Sequence, residues 1–515
     1  MRYCCLIIMV LVLAGSGVAA DEPTAPVPAA TGGPPIAPQE IAVAATDTLR
    51  LGLAAAMRHA LAVSEEVEAA TAQLERANSI VTQSRAQVLP QISAGLSYTR
   101  QLASVYDTGD VSVPPFEPDT TASLEERVRY LEENTPTAAL SGLSSLFSDL
   151  PFAAENNWAA SLGLTQKIYQ GGSLLGAVRA AGHVRAAADA ALADAKTDLV
   201  QGVMESYLGA LLADELVAIA ELGFDQANEQ YEFVRLRHEV GKAADFDLLQ
   251  AEVQRDNQRP LIIEAENARS LAYLNLRRLL NLSPRKPLVL ADTLLAASAP
   301  VPEIAGLDRD SLAADAELRP AVRTIEETVA AREEGVKVAR GAHLPDVSLF
   351  ATYGQQAYPG EFFPGSGDWN DDLAIGLRVN VPIFDGFLTS GRVSEAKAQL
   401  KTDEQRLAIL REERRLAVEQ RVGELERARA DLLSRQQTVS FARRVHGLAR
   451  LRFEEGAANL FDISDARISE QVARINEARA RYDMLVALSR LEKLTGRPYL
   501  TALVVPQVAP PGEER

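Results

Sequence analysis

The sequence writes one passage twice. RLRHEVGKAADFDLLQA, residues 235–251, returns as RLRFEEGAANLFDISDA, residues 450–466, 215 positions later. The match extends outward at the same offset, LTQKIYQGG (164–172) over VNVPIFDGF (379–387) and LRRLLN (276–281) over LEKLTG (491–496). Upstream the offset becomes 255, where RAQVLPQISAGLSY (85–98) overlies RGAHLPDVSLFATY (340–353). A long internal match restricts the chain to two copies of one structural unit. The gap between 255 and 215 gives the first copy about 40 extra residues between Tyr98 and Trp158.

Each copy carries two short segments of period two. Ile92, Ala94, Leu96 and Tyr98 alternate with Ser93, Gly95, Ser97 and Thr99, and Val347, Leu349, Ala351 and Tyr353 repeat the apolar set. The second pair sets Trp158, Ala160, Leu162 and Leu164 against Ser161, Gly163 and Thr165, then Leu373, Ile375, Leu377 and Val379 against Gly376, Arg378 and Asn380. This alternation predicts strands, one pair per copy, over about 91–100, 157–169, 346–353 and 371–384. Their small or polar face suits surface strands of a soluble domain, and equally the wet lumen of a membrane barrel. Trp158 and Trp369, the two tryptophans, fall near the start of each returning strand, where an interfacial aromatic belt lies.

The remainder reads as helix. Between Gly172 and Gly241 run 68 residues with no proline, about 100 Å of helix at 1.5 Å per residue. Residues 387–455 match that length, with Val418, Val422, Leu425 and Leu432 spaced as in a coiled coil. Val200, Val203, Tyr207, Ala210 and Val217 occupy the matching places in the first copy. Shorter helices are expected over 49–89, 246–280, 310–343 and 461–495, stacked end to end along the rods. The repeated passage marks where a rod turns back. Gly241 and Gly456 are its left-handed caps, while Asp247 and Asp462 lie near the start of the return helix, where a carboxylate favours the helix dipole.

The start of the chain bounds its location. Arg2, the apolar run Leu6–Leu13 and the small residues Val18-Ala19-Ala20 read as a signal peptide over 1–20. Cys4 and Cys5 fall inside it, so no disulfide framework is expected. Residues 21–45 are a proline-rich lead-in, 46–285 the first copy, 286–305 a proline- and alanine-rich linker at the middle of the rod, 306–500 the second copy, and 501–515 a loose tail. A net charge of -18 argues against nucleic acid. After residue 20 no apolar run reaches the roughly 18 residues of a spanning helix. Entry into a membrane must therefore be by strands. Four strands cannot close a barrel, and an open edge in a bilayer leaves amides unpaired, so several chains must join their sheets.

The residues that carry a resemblance are now assembled: Leu89-Pro90 and Leu344-Pro345 before the first strand of each copy, Ile168-Tyr169-Gln170-Gly171-Gly172 and Pro382-Ile383-Phe384-Asp385-Gly386 at the strand-to-rod junctions, Arg319-Pro320, and the two arginine-containing turns. From about Leu49 to Pro498 the chain resembles the TolC-like outer membrane efflux duct family. The resemblance implies a mainly α protein with a small membrane β part. It further implies a homotrimer whose twelve-stranded β-barrel in outer membrane lipid continues into an α-helical barrel reaching through the periplasm. A periplasmic membrane-fusion adaptor and an inner-membrane pump of the RND or ABC type are the implied partners. The implied function is passive exit of small molecules such as drugs, toxic compounds or metals. A type I protein-secretion duct has the same fold, and a soluble periplasmic coiled-coil structural protein is the alternative of another class.

The resemblance also distributes roles. Asp462 and Asp465, with Asp247, would ring the periplasmic constriction; Arg235, Gly241, Arg450 and Gly456 would form the hairpin turns, 238–247 and 453–462, that dock the adaptor. Gly171, Gly172, Pro382 and Gly386 would form the strand-helix junction, and Trp158 and Trp369 the interfacial aromatics. Phe453 and Ala458 stand where some family members carry a tyrosine and an arginine that tie the tunnel shut. Residues 101–156 would be an enlarged extracellular loop, with a capping box at Ser123 and Glu126. No enzyme is expected. His59, His183, His238, His343 and His446 are scattered, no nucleotide or nucleophile motif is present, and neither metal nor cofactor is expected.

Overall fold

The computed structural model describes residues 49–102, 119–148, 155–294 and 308–499. The expected signal peptide, lead-in and tail lie outside them, as do 103–118 and 149–154 of the expected loop and 295–305 of the linker. In chain order the elements are β1 (Leu49–Leu51), α1 (Leu53–Val63), α2 (Glu65–Ala86), β2 (Gln91–Arg100), α3 (Leu124–Ser148), β3 (Asn156–Gln170), α4 (Ser173–Glu239), α5 (Asp245–Asp256) and α6 (Arg259–Leu279). There follow β4 (Leu288–Leu290), α7 (Arg309–Glu317), α8 (Pro320–Gly341), β5 (Asp346–Ala357), β6 (Trp369–Asn380), α9 (Leu388–Glu454) and α10 (Leu460–Thr495). The described residues are mainly helical.

Four strands form one antiparallel sheet in the order β2-β3-β5-β6. Directly opposed residues share a face. The register pairs Leu96 with Ala160, Leu162 with Tyr353 and Tyr353 with Leu373, which gathers the apolar residues of all four strands on one side. Ser97, Ala159, Gln356 and Asn370 make one row of the opposite side, which is small and polar. On the apolar side Leu373 and Ile375 are 77% and 76% exposed, a degree that calls for a non-aqueous neighbour. Among the described residues the outer edges of β2 and β6 have no strand partner. The second strand of the second pair ends at Asn380, four residues short of the predicted 384. Pro382, which has no amide hydrogen to give a ladder, stands two residues on.

Helices α4 and α9 each have 67 residues, and their starts, Ser173 and Leu388, differ by 215. Val203, Tyr207 and Ala210 of α4, with Val418, Val422 and Leu425 of α9, are buried together with Met484, Leu485, Leu488 and Leu491 of α10 in one core. Along α9 a ladder of ion pairs fixes the neighbours on its first half: Arg332 to Asp403 at 3.1 Å, Glu326 to Arg411 at 2.6 Å, Glu317 to Arg415 at 2.9 Å, and Arg309 to Glu419 and Glu426. Mostly exposed, these pairs set register more than stability.

Three of the four short helices predicted as continuous are broken. Helix α1 stops at Ser64, whose hydroxyl accepts the Val67 amide and starts α2. Prolines begin the other two second pieces: Pro260 in the first turn of α6 and Pro320 at the first position of α8. Only α10 runs unbroken, over 36 residues. A second departure lies at the middle of the rods. Leu49, predicted as a helix start, opens β1, which pairs in parallel with β4. Tyr207 ties this pair to α4: its hydroxyl donates to Asp292 Oδ2 at 2.7 Å and lies 3.1 Å from the Leu51 carbonyl. Burial and the adjacent Asp292 push its phenol far above the ordinary tyrosine range. In the predicted loop, Ser123 and Glu126 exchange the hydrogen bonds of a capping box at the start of α3.

Candidate functional site

Both turns end their rods alike. At the first, the Lys242 amide donates to the Arg237 carbonyl at 2.7 Å and the Gly241 amide to His238 at 2.9 Å. At the second, Ala457 donates to Arg452 at 2.7 Å and Gly456 to Phe453 at 3.1 Å. This is the Schellman motif, and it requires the left-handed φ of +71° at Gly241 and +75° at Gly456. The return helices start differently. Asn459 accepts the Asp462 amide at 2.9 Å while Asp462 accepts the Asn459 amide at 3.2 Å, a full capping box. Asp247 accepts the Ala244 amide at 3.3 Å, but Ala244 has no side-chain acceptor to return the bond.

The three aspartates therefore divide. Asp462 and Asp247 are engaged at helix starts, whereas Asp465 is exposed and, among the described residues, pairs with no cation. The helix starts come together through one apolar cluster of Val234, Ala251, Leu460 and Ile463. Phe453 packs against it and meets the Phe233 ring in a tilted contact with centroids 5.8 Å apart, so this position holds an aromatic contact within the chain. The Ser464 hydroxyl donates to Gln254 across the two return helices. Arg235 pairs with Glu232 at 2.6 Å and Arg450 with Glu454 along their own helices, on exposed surface. His238 and Asp245 bridge the first turn at 2.6 Å.

Behind the second turn lies a polar cluster that the sequence reading missed. Glu470 is 4% exposed and accepts from Arg474 at 2.9 Å, with His446 Nδ1 at 2.7 Å and Arg443 at 3.7 Å. Burial pushes its carboxyl up, but the bonds from Arg474 and His446 outweigh this and hold it below the ordinary glutamate range. Three residues earlier, Arg467 is 1% exposed. It donates 3.2 Å to the Gly223 carbonyl of α4, while its Nε has no partner. Burial pulls its pKa down. An acid flanked by two arginines could have been suspected from Arg474 at i+4, but His446 reaches it only through the hairpin register.

At the strand-helix junctions, Gly171, Gly172 and Gly386 have φ of +58°, +77° and +67°. A Cβ on Gly171 would strike the Gly341 carbonyl at the end of α8. Phe387 adopts φ of +66° at the start of α9, where the first copy has Gly172. Pro382 lies between β6 and that junction. At the far end of the sheet, Tyr98, Trp158, Ala357 and Trp369 form a single row on the apolar face. The Trp158 indole donates 2.8 Å to the Phe362 carbonyl, and its ring packs on Tyr98 and Phe362. Among the described residues no cluster of three metal-ligating side chains occurs and no helix is long and apolar enough to cross a membrane.

With this geometry in place, the comparisons are specific. The family model described as "Outer membrane efflux protein" matches residues 56–282 and 314–497. The outer membrane efflux protein BepC of Brucella suis biovar 1 is 25% identical over 307 residues, 59% of this chain and 64% of BepC. The alkaline protease secretion protein AprF of Pseudomonas aeruginosa is 24% identical over 306 residues, 58% of this chain and 61% of AprF. The chain thus spans less than two thirds of the length of both relatives. The crystal structure of CusC superposes with a TM-score of 0.68 at 16% identity, covering 89% of this chain and 96% of that one, which establishes the fold. The chain belongs to the TolC-like outer membrane efflux protein family, and its place is the cell outer membrane.

Proposed function

We propose that the chain is the outer membrane exit duct of a tripartite efflux pump, working as a homotrimer. One observation carries this reading: a sheet apolar on one side and polar on the other has both edges free of partners among the described residues and runs directly into rods of 67 residues. Free edges inside a bilayer are not tolerated, so β6 of one copy pairs with β2 of the next. Three copies give twelve strands around a lumen wide enough for water. Equal rod lengths and the 215-residue offset support two structural repeats, 46–285 and 306–500, joined by the linker 286–305.

Within the trimer, Asp462, Asp465 and Asp247 line the periplasmic constriction. Arg235, Gly241, Arg450 and Gly456 present the turns to a periplasmic membrane-fusion adaptor, and an inner-membrane RND or ABC pump supplies the energy. Gly171, Gly172, Pro382 and Gly386 bend the chain from strand to rod. Trp158 and Trp369 mark the lipid interface. The cargo is small molecules, in keeping with the efflux description of BepC; the secretion name of AprF supports a protein-secretion duct as the second reading. Photocrosslinkers placed at Lys242 and Ala457 in cells distinguish them. Capture of an adaptor together with a small-molecule pump is expected, and capture of a peptide-exporting transporter alone would reassign the cargo.

A further inference from the structure

The polar face of the sheet is not uniform. In β2, β3, β5 and β6 it consists largely of serine, glycine, threonine, asparagine and alanine, yet at one level it carries two cations. Lys167 of β3 lies opposite Ser348 of β5, and Ser348 lies opposite Arg378 of β6. Both cations are exposed, and neither forms an ion pair with a carboxylate among the described residues. Two strand spacings separate their backbones, about 10 Å.

Two further features occur at this level. The ring of Phe350, two residues along β5 on the same face, lies over Gly376, where a Cβ would approach it to 2.6 Å. The Arg378 guanidinium sits 5.3 Å from that ring, holding the plane and the charge together. On the other side, Lys167 lines a cleft of about 310 Å³ with Gln83, Gln87, Gln91, Thr165 and Leu89, among which it is the only charged residue. The acids of the same face are Asp372, six residues from Arg378 and about 20 Å away, and Asp346, two residues from Ser348. Asp346 Oδ1 is enclosed and makes no hydrogen bond.

We propose that Lys167, Phe350 and Arg378 form a subsite in the barrel lumen for organic anions bearing an aromatic ring. The acid group is met by Lys167 and Arg378, and the ring by Phe350. Threefold symmetry multiplies this to six cations in one belt, on the membrane side of the aspartate constriction. The inference rests on the duct reading, which turns the polar face toward the lumen, and it adds the class of cargo.

The test is single-trimer conductance in planar bilayers, with 2-naphthoate added on the extracellular side, from which the barrel is reached without crossing the constriction. Wild type is expected to show concentration-dependent block. In Lys167→Gln/Arg378→Gln, which removes both charge-assisted contacts to the acid group, the half-blocking concentration rises about tenfold or more, and the reversal potential in a KCl gradient shifts toward cation selectivity. Phe350→Leu weakens naphthoate block without moving the reversal potential. Equal block and equal reversal potential in the double variant and wild type would overturn the subsite while leaving the duct intact. A total absence of channels from correctly processed protein would overturn the duct reading and the subsite with it.

Discussion

Trp158 and Trp369 stand on the same face of the sheet, each directly opposite Ala357, although 211 residues separate them in the chain. Neighbouring strands place them about 10 Å apart at one level. They are the only tryptophans, so each can be read alone. In vesicles of lipids brominated at successive acyl positions, Trp158→Phe and Trp369→Phe should show strongest quenching at the same bromine depth, near the headgroups. Maxima at different depths would contradict a common membrane level for this row.

Among the described residues Asp465 has no cation partner, and Asp462 has one carboxylate oxygen outside its capping bond. With both changed to alanine, conductance should rise, and block by hexaamminecobalt from the periplasmic side should weaken on the order of tenfold through lost field in a narrow passage. Asp462→Asn separates cap from charge: it keeps the capping acceptor and should retain helix stability while losing the block. Unchanged currents in both variants would remove the constriction role.

Glu470 links acidity to the integrity of the tip. Its carboxyl is held below the ordinary value, so the folded state binds its proton more weakly than the unfolded chain. The stability it contributes is present above the unfolded glutamate pKa of about 4.3 and is lost as pH falls through the folded value. Amide exchange around 443–474 should therefore accelerate on acidification below about pH 4 beyond the intrinsic change. Glu470→Gln should flatten that extra step, and the same step in the variant would assign it elsewhere, since Arg443, His446 and Arg474 all face this carboxylate.

Among the described residues Arg467 is a buried cation with one hydrogen bond and an unpartnered Nε. A charge so placed contributes little net stability, and an apolar side chain of similar length removes the desolvation cost. Arg467→Met should leave thermal stability in detergent unchanged or raise it by about 1 kcal/mol. A loss of 2 kcal/mol or more would show that the guanidinium is needed at Gly223.

What was legible in the sequence follows from periodicity. The strands were readable because their two faces differ chemically at period two, as at Leu373, Ile375 and Leu377. The rods were readable because no proline interrupts them. Breaks in the shorter helices were missed although Pro260 and Pro320 were in plain view, because the sum of two pieces matched a rod so well. The β1–β4 pair rests on only three residues a side, too short for any period to register. Glu470 with His446, and Lys167 with Arg378, are brought together by hairpin and sheet register across 24 and 211 residues, and no local pattern carries that information.

The central claim is that the free edges of β2 and β6 close only by joining three copies. Native mass of the processed, detergent-purified protein measures this directly. The account predicts three chains per particle, with the sheet protected from amide exchange along Gln91–Arg100 and Trp369–Asn380. A folded monomer, stable without lipid or detergent and exchanging freely along both edge strands, would contradict it.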